Sequence, residues 1–109
     1  MNTISKNKLY EKKIDLQLLK DTCSTVESVH KHTIISYLKN SKRASSCTTE
    51  RVYDYFEDHF VEIPIVAYHD DKYYWDDRDI YYFEKYNMKL NDDFINHVLE
   101  QEDKPNDKV

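Results

Sequence analysis

Glycine is absent from the 109 residues of this chain. At ordinary usage, about 7%, a chain of this length would hold roughly eight. The absence excludes several kinds of site. A phosphate-cradling P-loop, a dinucleotide-binding turn and a glycine nucleophile elbow all need backbone that only glycine supplies. Any turn requiring positive φ must use asparagine or aspartate. The two cysteines, Cys23 and Cys47, are too few for a disulfide framework and fit reduced thiols. No apolar run approaches membrane-spanning length. The segment Met1–Lys8 lacks the apolar stretch of a secretory signal. The expected location is the cytoplasm, and no membrane partner is expected.

The residues present are polar but not disordered by composition, with 39% hydrophobic and 34% charged. One small domain is expected, burying about 60–70% of its unfolded surface. The net charge of −5 conceals a split. Residues 1–49 carry nine Lys/Arg against four Asp/Glu, whereas residues 50–109 carry seven against seventeen. Two surfaces of opposite sign follow, which steer charged partners. The abundance of Lys, Asn, Ile, Asp and Tyr also fits an AT-rich gene of the kind phages and mobile elements carry.

Aromatic residues are concentrated. Eight of the ten tyrosines, the single tryptophan and three of the four phenylalanines lie between Tyr53 and Tyr86. Asp54, Glu57, Asp58, Glu62, Asp70, Asp71, Asp76, Asp77, Asp79 and Glu84 are interleaved with them.

Residues 1–12 read as a flexible N-terminus, 13–101 as a single globular domain and 102–109 as a disordered acidic tail. Asp15 is positioned to cap a first helix over 15–22, with Ile14, Leu18 and Leu19 apolar. Ser24-Thr25-Val26-Glu27 has capping-box form. Val26, Val29, Thr33, Ile34 and Tyr37 then follow helical spacing to about Asn40, a candidate left-handed cap. A third helix is expected from Thr48 to about Phe60, with Val52, Tyr55, Phe56 and Phe60 inward. The pattern then changes to strand formers, giving a β-hairpin over about 62–75 that turns at His69-Asp70-Asp71, with Pro64 at an edge. Residues 79–86 fit a strand by their aromatics and a helix by Ile80, Phe83 and Asn87; helix is the expectation, capped by Asp76 or Asp77. Asn91 caps a closing helix over about 91–101, with Asp92 and Asp93 suiting its dipole. The fold class is α+β: three N-terminal helices, the hairpin and the C-terminal helix. That order also suits a winged helix.

Candidate chemistry is sparse. His30, His32, Cys23 and Cys47 invite a zinc reading, but His-x-His on a helix sends the two rings to different sides. Neither a metal nor another cofactor is expected. Asp70-Asp71-Lys72 matches the end of a metal-dependent nuclease motif, but it falls where a hairpin turns. No serine or cysteine lies in a recognisable nucleophile context. The chain is not expected to be an enzyme.

About half of the aromatic block is needed for the core. Alternation along 72–75 separates Tyr73 and Trp75 from Tyr74, so one side is expected to show rings outward. The expected partner-binding residues are Asp54, Asp58, Asp70, Asp71, Tyr73, Tyr74, Trp75, Asp76, Asp77, Asp79, Tyr81 and Tyr82. Aromatic anchors rimmed by carboxylates suit a basic protein partner. An inhibitor that occludes a basic nucleic-acid-processing protein is the expected function, in the manner of an immunity protein for a toxin nuclease. The rival is a winged-helix nucleic-acid binder using Lys39, Lys42 and Arg43 of the basic half. Its recognition helix would carry Glu50, Asp54, Glu57 and Asp58 towards phosphates, so nucleic acid is the less favoured partner. An enzyme with an unrecognised site stands third.

Overall fold

The computed structural model describes residues 2–11, 13–44 and 49–103. They form an α+β fold of four helices and two small sheets. In chain order the elements are β1 (Asn2–Thr3), α1 (Leu16–Thr22), α2 (Lys31–Asn40), β2 (Lys42–Arg43), β3 (Arg51–Asp54), β4 (His59–Pro64), β5 (Ala67–His69), β6 (Tyr73–Asp76), α3 (Asp77–Tyr86) and α4 (Asp92–Asp103). The larger sheet has the order β1-β6-β5-β2, with β1 parallel to β6 and the other pairs antiparallel. The smaller sheet is the β3–β4 hairpin alone.

The helix expected from Thr48 to Phe60 is replaced by that hairpin, so the three N-terminal helices are not found. Val52 and Asp54 are buried while Tyr53 between them is only partly covered. That is a two-residue period, and it belongs to a strand. Asp58 takes a left-handed φ of 58°, which turns the chain back on itself. The change removes the recognition helix on which a winged-helix arrangement depends. The expected 62–75 hairpin is shorter. β5 pairs with β6 across a turn at 70–72, and residues up to Pro64 pair with β3 instead.

α2 also begins later than its capping-box pattern suggests. The Ser24 hydroxyl accepts from the Val26 amide at 3.1 Å, closing a local turn rather than a helix start. Val26 and Val29 are therefore outside, and Ile34 and Leu38 supply the buried face of α2. Asn40 does not cap in the left-handed region. Ser41 ends the helix in extended backbone, and Asn40 Nδ2 donates back to the Ser36 carbonyl at 2.8 Å.

Other signals hold. Asp15 caps α1 by accepting from the Leu18 amide at 3.0 Å. Residues 79–86 are helical, and Asp76 caps them in a reciprocal capping box with Asp79. The Phe94 and Ile95 amides donate to the Asn91 carbonyl at the start of α4. Among the described residues of this glycine-free chain, the positive-φ positions are Asp58, Asp71 and Asn87. Asn87 ends α3 in the left-handed form, with its amide donating to the Phe83 carbonyl at 3.2 Å. Cys47 lies outside the described residues, with the rest of 45–48.

The core lies between the larger sheet and the helices. Ile34 and Leu38 of α2, Ile80, Tyr82 and Phe83 of α3, and Phe94 and Val98 of α4 meet Tyr73 and Trp75 of β6. The segment before α1 joins them, although its polarity reads as a flexible end. β1 extends the sheet beside β6, and Ile4 and Leu9 are buried. Ile4→Ala is therefore expected to cost about 2–5 kcal/mol, read as a lower urea midpoint. No shift in that midpoint would mean that the N-terminal segment is not part of the fold.

Candidate functional site

The residues expected to bind a partner are mostly taken up internally. Tyr73, Trp75 and Tyr82 are core side chains, between 1% and 6% exposed. Trp75 Nε1 donates to the Leu38 carbonyl at 3.1 Å, tying β6 to α2. Tyr74 faces the other side of the sheet and packs on Tyr10, with ring centroids 6.4 Å apart. The rings that strand alternation directs away from the core are thus partly covered by the N-terminal segment.

The carboxylates at 70–79 have structural partners as well. Asp70 is nearly buried. It accepts from Tyr37 Oη at 2.6 Å, from the Tyr73 amide at 2.7 Å and from the Lys72 amide at 3.0 Å, and it meets His97 Nε2 at 2.8 Å. These contacts join the β5–β6 turn to α2 and α4. Burial alone would raise the Asp70 carboxyl, but the hydrogen bonds, Tyr37's first, hold it below its ordinary value. Asp71 is exposed and pairs with Lys42 at 2.9 Å. The Asp70-Asp71-Lys72 triplet is therefore a hairpin turn, with its two carboxylates pointed at different partners. Asp76 binds Arg78 at 2.7 Å, and Asp77 accepts from the Val66 amide at 2.8 Å. Asp79 accepts from the Asp76 amide at 3.1 Å. Desolvation, with the charge of Asp76 beside it, pushes the Asp79 carboxyl up to about 8.

Asp54 is fully buried where the hairpin meets α3. It accepts from Tyr81 Oη and Tyr86 Oη, each at 2.6 Å, and from the Phe56 and Glu57 amides, each at 2.8 Å. Lys85 Nζ stands 3.5 Å away. Burial opposes the charge, yet the two phenols and two amides outweigh it and hold the carboxyl far below its usual range. Tyr82 Oη completes the joint, donating to the Tyr53 carbonyl at 2.7 Å and accepting from the Tyr55 amide at 2.8 Å.

What the scaffold does not absorb lies on the hairpin itself. Phe60 of β4 is 68% exposed. Its ring stands 4.9 Å from Tyr53, which in turn is 5.0 Å from Tyr55. These rings, with Leu9, Tyr10 and Ile65, line a cavity of about 290 Å³ to which Glu11, Glu50, Arg51 and Arg78 also contribute. Residues 50–64 expose Glu50, Glu57, Asp58 and Glu62, with Asp54 buried beneath them, against one arginine, Arg51. Asp58 accepts from the Tyr53 hydroxyl at the turn. Glu57 lies between Lys85 at 3.2 Å and His59 at 3.1 Å, and Lys85 first of all lowers its carboxyl. Of the twelve expected residues, Asp54, Asp58, Tyr81 and Tyr82 belong to this hairpin or its seat. Tyr10, Tyr53, Tyr55, Phe60 and Glu62 were not among them. Reading 48–60 as a helix turned Tyr55 and Phe60 inward and hid this face; Asp58-His59 between two alternating stretches was the available turn signal.

Metal-ligating geometry is not seen. Among the described residues, no three His, Cys, Asp or Glu side chains converge. His30 and His32 are exposed. Burial pushes the Cys23 thiol up to about 11, which suppresses thiolate chemistry. No helix among the described residues is long and apolar enough to cross a membrane. Comparison with protein-family models, with curated proteins and with solved structures finds no match to this chain.

Two predictions arise from the carboxylates. Asp54→Ala should cost roughly 3–5 kcal/mol at neutral pH, because phenols and amides lose a charged acceptor. The lowered folded-state value makes this stabilisation present above about pH 4 and lost only as pH falls well below it. The deficit of the variant should accordingly shrink in acid, and a deficit below about 1 kcal/mol at pH 7 would remove Asp54 as the joint. Asp79 has the opposite sign. Its raised value stabilises the fold below about pH 4, and this is lost as pH rises through about 8. Asp79→Asn keeps the capping acceptor, so the fall in thermal midpoint that the parent shows between about pH 4 and about pH 8 should be smaller in the variant.

Proposed function

We propose that this chain is a stoichiometric inhibitor that binds a basic, nucleic-acid-processing protein through the β3–β4 hairpin. The observation that carries the reading is Phe60, 68% exposed on a strand whose hairpin is rich in carboxylates. A large ring left in water beside Tyr53 and Tyr55 is the kind of anchor that dominates protein interfaces. Carboxylates around such an anchor select a basic partner and speed encounter. The chain acts by occupancy: Glu57, Asp58 and Glu62 take positions that phosphates hold on the target, while the rings exclude water. Immunity proteins for toxin nucleases and phage-encoded inhibitors work in this way, and a cytoplasmic setting suits either.

The acid-aromatic character of residues 53–86 is kept, with the β3–β4 hairpin in place of the expected residues of 70–79. Tyr73, Trp75 and Tyr82 are core side chains, so truncating them would test folding rather than binding.

The test is affinity capture from the native host with the immobilised chain, at about 0.1 M salt where surface charges still act over about 10 Å. A basic protein should be retained and eluted by salt, and its enzymatic activity should fall to zero at one equivalent of added chain. Phe60→Ala with Glu62→Lys should weaken that complex by roughly 2–4 kcal/mol without changing the urea midpoint, and Glu100→Ala on α4 should leave it unaltered. Equal capture by the double variant, or retention of the free chain on heparin at moderate salt, overturns the assignment.

A further inference from the structure

β4 runs for six residues, and His59, Phe60, Glu62 and Pro64 are exposed. β3 is the inner strand of the pair: it pairs with β4 and packs against α3. Among the described residues, no strand lies along the outer edge of β4. Such an edge presents a row of backbone donors and acceptors, a ready template for another strand. Proteins commonly blunt edges with lysine, proline or a bulge. Here Pro64 closes only the end and no lysine falls within His59–Pro64; Val61–Ile63 stand opposite Val52 alone, a local bulge of β4, yet exposure along the strand keeps alternating from Phe60 to Pro64.

We propose that the outer edge of β4 receives an extended, basic segment of the partner as a third strand of the smaller sheet. This rests on the reading that the hairpin is the partner-binding surface, and it specifies how the partner is held. Charge selects the occupant. A second copy paired edge to edge would set one acid-rich hairpin against another, and like charges in apposition are destabilising. A strand with lysine or arginine at alternate positions meets opposite charge instead. Alternation along β4 puts Phe60 and Glu62 on one face and Val61 and Ile63 on the other. The incoming strand would show its cations beside Glu62 and its apolar side chains along Val61 and Ile63. Main-chain bonds then supply affinity and the alternating side chains supply choice, as in other cases of strand addition.

The probe is a peptide alternating lysine and valine, compared with the same peptide N-methylated at every second amide. Hydrogen exchange of residues 59–64 in the full chain is followed by NMR. The plain peptide should slow exchange at the outward amides of β4 on the order of tenfold, and N-methylation of the pairing edge should weaken binding on the order of tenfold. Equal binding of both peptides, or no protection of 59–64 at millimolar peptide, overturns strand addition. Self-association that protects the same amides without peptide assigns the edge to a second copy and also overturns the proposed occupant. The variant Phe60→Ala separates this idea from the function it rests on. If it abolishes capture of the basic protein while β4 is never protected, the hairpin remains the binding surface and only the strand pairing fails.

Discussion

The Asp54 carboxylate is the contact on which the acidic half of this protein depends. It is wholly buried and would be costly there alone. Two phenols from α3 and two amides from its own turn make the charge tolerable. Those same donors solve an architectural problem. An isolated two-stranded hairpin is marginally stable in water. The β3–β4 pair has no third strand among the described residues, and most of β4 is exposed. Its seat on α3 is made by Asp54, by Tyr82 bridging Tyr53 and Tyr55, and by Phe56 packed edge-on to Tyr86 at 4.7 Å. One charge, placed where it must be fully bonded, fixes a strand pair that core packing alone would leave loose.

The lack of glycine runs through the same design. Among the described residues each left-handed turn residue is an aspartate or asparagine, and local side-chain bonds accompany them. Asp54 accepts from two amides in the turn that Asp58 closes, and Asp70 does so in the turn containing Asp71. Asp76 and Asp79 exchange bonds with each other's amides at the start of α3. Much of the acidity in residues 54–79 is therefore turn and cap chemistry. A carboxylate needs no glycine to satisfy a neighbouring amide, so a chain without glycine accumulates aspartates where it bends.

That substitution explains what was legible beforehand and what was not. Local signals read unevenly: Asp15 before α1, Asp76 before α3 and the use of Asp and Asn for positive φ are choices made within four residues, whereas the capping-box form at Ser24 and the left-handed cap at Asn40 do not form. Long-range pairing was illegible. β1 is two residues long and pairs with β6, about seventy positions away in sequence, and nothing in Asn2-Thr3 announces it. The hairpin is hidden in the sequence because Val52, Tyr55, Phe56 and Phe60 fall at helical spacing, although Tyr55 and Phe56 lie in the turn between the strands. Tertiary contacts to α3 decide between helix and hairpin, and those contacts run through Asp54. The carboxylates at 70–79 looked surplus because their partners, Tyr37, His97, Val66 and Arg78, are close in space but mostly not in sequence.

Removing the structural acids from consideration strengthens the hairpin as a binding surface. An acidic composition by itself says little, since caps and turns consume carboxylates without any partner. Phe60 has no such explanation. The core is already supplied by Phe94, Trp75, Tyr82 and Phe83, and the joint to α3 is made by Phe56 and the tyrosines. Keeping a phenylalanine 68% exposed on a strand edge invites aggregation, a cost that a buried complex would remove. The surrounding acids limit that hazard in the free protein by repelling other copies. On the proposed reading the same charge would favour a basic strand or surface, so restraint of self-association and choice of partner would follow from one arrangement of side chains.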